Sequence, residues 1–577
     1  MANSPLPVNG KLTMKTSFNW GKYEGAVVRG LKSLYDTAFF DRILKNDPLI
    51  WKEDPSHHKE IRERLGWIRA PKETAARLSE VREFIAEVKA QKYVYAVLLG
   101  MGGSSLAPEV FQTVFGNKPG HPKLVILDST DPRRVADVDK LIAGKKTLFI
   151  VSSKSGSTIE LTSLFKHFYA KAMKANGDQA GRHFIAITDP GTALERLGRE
   201  NRFRHVFVNP PDVGGRFSAL TLFGIVPAAL IGVDVEKVLK RAEEAANFTV
   251  HEMDPAKNPA SDLGISMAAL AKAGRDKLTF VTTSRWECFG DWAEQLVAES
   301  TGKENLGVVP IPREKSLAPG KYGADRYFVG LVPAGPKGLP LRKKLAALEA
   351  KGHPTFTCEI KDDHDLGAQF FLWEMATAVA GAYFKTNPFD QPNVQEAKDC
   401  AKRLLADVDA DTNLSPETGK LTPVLRACGV RGVSKDMGKE WTAFWKSVHP
   451  GDYVNVLAFV PDRPATRKPL LAVQDTLRAK LNAAVVLGIG PRYLHSTGQL
   501  HKGGANNGVF LVIAAPAKKT ENLPVPGEKF SFGQLELAQA RGDFDALAAK
   551  GRRAFYVELA DVSPKSLGGL VSLVKKI

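Results

Sequence analysis

The feature that most constrains this chain is a series of short, almost uninterrupted apolar runs, several of them separated by helical stretches. Residues 94–99, 124–127, 148–151, 184–187 and 206–208 are such runs. They suit strands buried on both faces, the signature of a parallel sheet with helical crossovers. Ahead of them Leu78, Val81, Phe84, Ile85 and Val88 recur at helical spacing. The pattern restarts at 278–282 and continues through 307–311, 327–332 and 356–360, followed by a predicted helix over 366–384. A third series runs through 453–460, 483–489, 509–513 and 555–559. The expected fold class is therefore α/β, with consecutive doubly wound parallel-sheet domains.

Length agrees, since 577 residues predict about three to four domains. We expect a helical lead-in over 1–60, a first domain over 61–235 and a second over 236–415. A polar connector of helical character should fill 416–450, leaving a third α/β segment over 451–577. Strand spacing in the second and third segments is similar, at about 30 residues, and reads as a weak internal repeat. A helix start at Asp365-Leu366-Gly367 is matched to one at Phe532-Gly533-Gln534.

Net charge is +17, which suits anionic partners: nucleic acid, acidic membranes or phosphorylated metabolites. A generic basic surface is the alternative. No dense Lys/Arg run or zinc-finger spacing supports nucleic acid. The longest apolar stretch, over 223–233, is too short to span a bilayer. Residues 1–15 lack the apolar core of a signal peptide, so a cytoplasmic location is expected. Cys288, Cys358, Cys400 and Cys428 form no CxxC pair, and neither a zinc site nor a disulfide framework is expected.

Four local motifs carry chemistry. Gly100-Met101-Gly102-Gly103-Ser104-Ser105 follows a strand and precedes a helical segment. Glycines let the backbone approach an anion, and a helix N-terminus offers free N–H groups. By itself such a turn also fits a dinucleotide or a purely structural role, but Leu106 stands where GxGxxG needs its last glycine. Ser152-Ser153-Lys154-Ser155-Gly156-Ser157-Thr158 places five hydroxyls and a lysine at the next such junction. That density suits a phosphate monoester, against the plainer reading of a serine-rich helix cap. Gly214-Gly215-Arg216-Phe217-Ser218 opens a helix expected over 219–230, where Arg216 can steady a developing anion or sit on the surface. Glu299 lies near a helix C-terminus, against the dipole. It is either an exposed glutamate or a base for proton transfer beside a carbonyl.

In this order and spacing the motifs resemble the phosphoglucose isomerase family over residues 90–400. The chain as a whole resembles the isomerase half of transaldolase/glucose-6-phosphate isomerase fusions, without the several hundred residues of a transaldolase half. Residues 100–105 look like the family's glycine/serine loop, giving Gly103 and Ser104. Residues 153–158 look like its phosphate loop, in the Ser-Gly-Ser form, giving Ser153, Lys154, Ser155 and Thr158, with Lys154 acting through its backbone. Gln295 and 299–303 resemble Gln-x-x-x-Glu-Ser-x-Gly-Lys, whose glutamate is the enediol base. Gln391 and Lys398, seven residues on, resemble its Asp-Gln ending. The resemblance implies sugar-isomerase-type domains, the last a degenerate repeat. It implies the interconversion of glucose 6-phosphate and fructose 6-phosphate, with no cofactor and no metal. Two other readings stay open: a dual-specificity enzyme that also takes mannose 6-phosphate, and a non-catalytic sugar-phosphate-binding protein.

One departure matters. The family needs a ring-opening histidine about 20–30 residues after the base, and 304–331 contain none. His353 is far downstream. In the third segment, however, Leu494-His495-Ser496-Thr497-Gly498-Gln499 resembles the bacterial family's motif for that histidine. His501 follows closely. In dimeric members the base and this histidine come from different subunits. The expectation is that the third segment replaces the second subunit and supplies His495, giving a monomer with an internal pseudo-dimer, with a homodimer as the alternative. The catalytic candidates are thus Glu299, His495, Lys398 and Arg216.

Overall fold

The computed structural model describes residues 14–577 apart from 407, 410 and 411, so the first 13 positions of the expected lead-in lie outside it. The lead-in begins with a strand, β1 (Thr16–Asn19), before its helices. The first sheet is wholly parallel, in the order β3-β2-β4-β5-β6. Its strands are β2 (Tyr95–Leu99), β3 (Lys123–Leu127), β4 (Thr147–Ser152), β5 (Phe184–Thr188) and β6 (His205–Val208). Alternation explains the unbroken apolar runs. Ala96 and Leu98 enter one core and Val97 and Leu99 the other, because successive side chains leave opposite faces.

The second sheet holds β7 (Lys277–Val281), β8 (Val309–Ile311), β9 (Arg326–Pro333) and β10 (Thr355–Ile360) in the order β1-β10-β9-β7-β8. Only β1 is antiparallel. The third holds β11 (Gly419–Thr422), β12 (Leu425–Gly429), β13 (Tyr453–Phe459), β14 (Ala484–Ile489), β15 (Gly508–Ala514) and β16 (Arg553–Leu559), ordered β11-β12-β16-β15-β13-β14. Removing the antiparallel edges leaves β10-β9-β7-β8 and β16-β15-β13-β14, the same order in both sheets. Each also carries an antiparallel neighbour on its last strand, β1 on β10 and β12 on β16.

Two expectations need correcting. Residues 416–450 are not simply a helical connector. They supply the β11–β12 hairpin, whose strands are too short to carry a clear apolar run, and one helix, Met437–Lys446. The matched helix starts are also not equivalent in topology. Leu366–Phe384 follows the last strand of its sheet, whereas Phe532–Ala549 precedes the last strand of the other.

Seven helices set the site: α1 (Leu106–Phe115), α2 (Ile159–Asn176), α3 (Glu287–Thr301), α4 (Leu366–Phe384), α5 (Val394–Ala406), α6 (Gly498–Gly503) and α7 (Phe532–Ala549). One face of the first sheet shares a core with the second unit, where α4 is buried along most of its length. The other face is covered partly by its own α2. Chain from far downstream adds Ala401 and Leu405 of α5 and Phe532, Leu535 and Ala538 of α7. The second and third units meet through equivalent edge strands. Val309 and Ile311 of β8 join Ala484 and Val486 of β14, with Ala298, Tyr453 and Leu500, in one apolar cluster. Contact between corresponding elements is what an isologous dimer interface looks like. Among the described residues no helix is long and apolar enough to cross a membrane.

The seam is tight at the end of α3. A Cβ on Gly302 would lie 2.4 Å from Leu500 Cα. Gly302→Ala should therefore cost about 1–3 kcal/mol by overpacking, read as a lower Tm. An unchanged Tm would mean that the two units do not seat this closely.

Candidate active site

Two glycines bring the site together. β2 ends at Leu99 and the chain makes a short turn over Gly102–Ser104 before α1. Gly102 has φ +54°, and a Cβ there would be 2.8 Å from both Gln295 Nε2 and the His495 carbonyl oxygen. A Cβ on Gly103 would sit 2.0 Å from the Gly215 carbonyl oxygen. Any side chain would push apart the first-sheet loop, the Arg216 turn, α3 and the His495 turn. These glycines are needed for close approach of backbone to backbone as well as for any anion.

The second loop runs from Ser152, at the end of β4, to Thr158, which precedes α2 in extended backbone and leaves the first turn without a side-chain cap. Ser153 Oγ accepts from Gly156 N at 3.0 Å. Ser155 and Ser157 hydroxyls lie 3.2 Å apart. The Lys154 side chain turns away, pairing with Asp189 and donating to the Pro211 carbonyl at 2.9 Å. Uncapped N–H groups ringed by hydroxyls make an anion site.

Arg216 is buried and bonded along its whole guanidinium. It donates to Ser300 Oγ at 2.7 Å, Gln391 Oε1 at 2.7 Å, and the Pro388 and Asp390 carbonyls at 2.6 and 2.9 Å. Its Nη1 lies 3.5 Å from Glu299 Oε1. Burial lowers its pKa, against the pull of Glu299 and Asp390. Lys303 holds the same loop from the other side, 2.6 Å from Asp390 Oδ1 and bonded to the Asn387 carbonyl. Burial brings the Lys303 amine down to about 8 despite Asp390.

Glu299 lies in the last turn of α3, with Gln295 one turn before it. Gln295 Nε2 donates to Glu299 Oε2 at 3.1 Å and to the His495 carbonyl at 2.7 Å. The third unit is bound here a second time. Gln499 of α6 donates to the Gly302 carbonyl at 3.0 Å and exchanges bonds with Asn393. His495 itself turns inward, with Nε2 2.8 Å from Glu160 Oε1.

One open cavity of about 510 Å³ is lined by Gly103, Ser104, Ser153, Lys154, Ser155, Thr158, Arg216, Gln295, Glu299, Gln391, Lys398 and His495. The twelve site residues expected from the sequence and its resemblance therefore share one space. His495 is the histidine of that lining. His353 is instead buried in the second unit, 3.2 Å from the Pro319 carbonyl, and His501 is enclosed between Tyr493 and Phe510. Burial lowers the pKa of both.

Glu160 was not legible in the sequence. An acid in the first turn of α2 reads as an ordinary complement to the helix dipole. Here it is 3 % exposed. Burial works against its charge, yet the imidazole of His495, its bond to that ring and the Lys398 ammonium hold it below the usual carboxylate range. A carboxylate depressed in the fold stabilises above its unfolded pKa, and that gain disappears as pH falls through the folded value. Glu160→Ala should thus cost about 3–5 kcal/mol near neutral pH, the scale for breaking a buried pair. In denaturant titrations the gap from wild type should close below the ordinary carboxylate range. A gap independent of pH would exclude this origin.

Comparisons with known proteins agree with this geometry. The family model for phosphoglucose isomerase matches residues 72–304. A glucose-6-phosphate isomerase from Campylobacter jejuni is 32 % identical over 377 residues, covering 57 % of this chain and 89 % of the relative. One from Carboxydothermus hydrogenoformans is 28 % identical over 397 residues, covering 59 % and 85 %. The crystal structure of a hypothetical protein from Thermus thermophilus shares the fold, with a TM-score of 0.58 at 23 % identity over 68 % of this chain and all of that one. Motif order, cavity lining and these similarities converge: the chain belongs to the phosphoglucose isomerase family.

Proposed function

We propose that the protein interconverts glucose 6-phosphate and fructose 6-phosphate, and that the complete site is built within one chain. The observation that carries this is the single cavity in which a carboxylate, Glu299, faces an anion loop with Arg216 and His495 beside it.

The phosphate sits against the hydroxyls of Ser104, Ser153, Ser155 and Thr158 and the free N–H groups at the start of α2. Gly103 gives close backbone access, and Lys154 contributes its backbone because its ammonium is held by Asp189. In ring opening the O1 hydroxyl gives up its proton, C1=O1 forms, the C1–O5 bond breaks and O5 takes a proton. His495 and Lys398 serve these transfers. Glu299 then removes the C2 proton, and the electron pair forms a C1=C2 enediolate with its charge on oxygen. Arg216 stabilises that charge from a buried position, its Nη1 3.5 Å from Glu299. Gln295 and Gln391 orient hydroxyls. Glu299 returns the proton to C1 while the O2 hydroxyl proton passes to O1, leaving the carbonyl at C2. The carbonyl acidifies the neighbouring C–H, so a carboxylate base is strong enough.

Two facts support assembly within one chain. His495 and Glu299 come from units with the same strand order, and those units meet through equivalent edges. A monomer with an internal pseudo-dimer follows. A cytoplasmic setting accords with four free thiols.

Glu299→Gln should lower kcat by about 10²–10⁴-fold, the contribution of a positioned base. His495→Ala should lower turnover of the cyclic substrate. Mixing the two inactive variants should restore nothing, since each chain keeps its own defect. Recovery of activity on mixing would show instead that sites are shared between chains.

A further inference from the structure

One oxygen of Glu160 carries two buried bonds. His495 Nε2 lies 2.8 Å from Oε1, and Gln539 Nε2 donates to the same atom at 2.6 Å. Gln539 is on α7, in the third unit. Its own amide oxygen accepts from the Thr130 hydroxyl at 2.8 Å, on the turn that follows β3 in the first unit. Thr130, Glu160 and Gln539 are 0, 3 and 4 % exposed.

Only one arrangement of hydrogens satisfies this chain. An ionised carboxylate accepts and never donates, so the amide nitrogen must face Glu160. The amide oxygen then needs a donor, and Thr130 is that donor. Two fixed donors, the amide and the imidazole N–H, meet one acceptor. His495 Nε2 must therefore carry its hydrogen toward Glu160, which leaves Nδ1 as the nitrogen free to exchange a proton elsewhere. We infer that Gln539, held in orientation by Thr130, is a positioning residue that aims Glu160 and so decides which ring nitrogen of His495 serves the ring-opening step.

The inference rests on the isomerase reading and deepens it. The charges facing Glu160 are those of His495 and Lys398. Around the Thr130–Gln539 bond the neighbouring ionisable groups are Asp131 and Arg133, paired at 2.6 Å, and Glu536, one turn before Gln539. Burial and the adjacent Asp131 raise the Glu536 pKa well above the usual carboxylate range.

The obvious alternative is that these bonds only fasten the third unit to the first. The experiment separates the two. Gln539→Leu, Thr130→Val and Thr130→Ser are assayed on glucose 6-phosphate across pH. In parallel, C1-proton exchange is followed on 5-deoxyfructose 6-phosphate, a ketose phosphate that cannot close a furanose ring and so needs Glu299 but no ring opening. Gln539→Leu should lower kcat about 10- to 100-fold, the scale of a hydrogen bond to a charged group, with KM within about twofold. Losing a bond to the ionised form raises the Glu160 pKa, so the acid limb of the pH profile should move to higher pH. Exchange on the acyclic substrate should stay near wild type. Thr130→Val, which keeps the shape and loses the donor, should move both readouts the same way by less, and Thr130→Ser should restore them. If Gln539→Leu does not fold, the Thr130 pair decides alone. Wild-type kcat and pH profile in Thr130→Val and in folded Gln539→Leu would overturn the inference. So would a parallel loss of exchange on the acyclic substrate. A wild-type protein without isomerase activity would sink the functional reading itself.

Discussion

Everything in the cavity depends on four pieces of backbone approaching one another at Gly102 and Gly103. The loop after β2, the turn of Arg216, the face of α3 and the His495 turn meet with no room for a single β-carbon between them. Those segments come from three α/β units. Without that approach Glu299, Arg216 and His495 would belong to three separate surfaces. Two buried cations behind the cavity are satisfied locally. Arg216 directs its donors to Ser300, Gln391 and two loop carbonyls, and Lys303 is answered by Asp390. Both of these buried cations have partners, as burial in a low dielectric requires.

The second organising fact is a shared strand order. The second and third sheets share a strand order and meet edge to edge. Units of the same order offer equivalent edges, and equivalent edges in contact are the geometry of a symmetric dimer interface. The two units differ at the cavity. The second carries Glu299 at the cavity and Lys303 behind it, and the third carries His495 there. Lys502, on the helix after His495, instead forms a fully buried pair with Asp543, which also accepts from the Tyr493 hydroxyl at 2.7 Å. That buried network fixes the short turn on which His495 stands.

Helix α7 is the counterpart of this arrangement on the other side. Its apolar stripe of Phe532, Leu535 and Ala538 covers the outer face of the first sheet, and from the same helix Gln539 reaches Glu160. Packing and polar contact act together here. The apolar stripe fixes the distance between the units, and the amide then meets a carboxylate that His495 and Lys398 hold below the usual range.

By itself the sequence determined the parallel strands of all three sheets, because a strand buried on both faces must be apolar at almost every position and such runs are rare elsewhere. It also offered the hydroxyl-rich loops, Arg216 and Glu299 as candidates, and the resemblance to the family added Gln295, Gln391 and Lys398; the cavity brings all of them to one lining. The hairpin β11–β12 stayed hidden, since its strands are short, β11 is a polar edge strand and an exposed Arg426 interrupts the apolar residues of β12. Only the tertiary structure separated His495 from His353 and His501: all three are histidines near glycines or turns, and depth and direction alone tell a lining residue from a core one. Only the tertiary structure revealed the chain of Thr130, Gln539 and Glu160, whose bonded pairs are 409 and 379 residues apart in sequence. A hydrogen bond needs atoms within about 3 Å, and nothing in a linear pattern records which distant atoms the packing of sheets will bring that close.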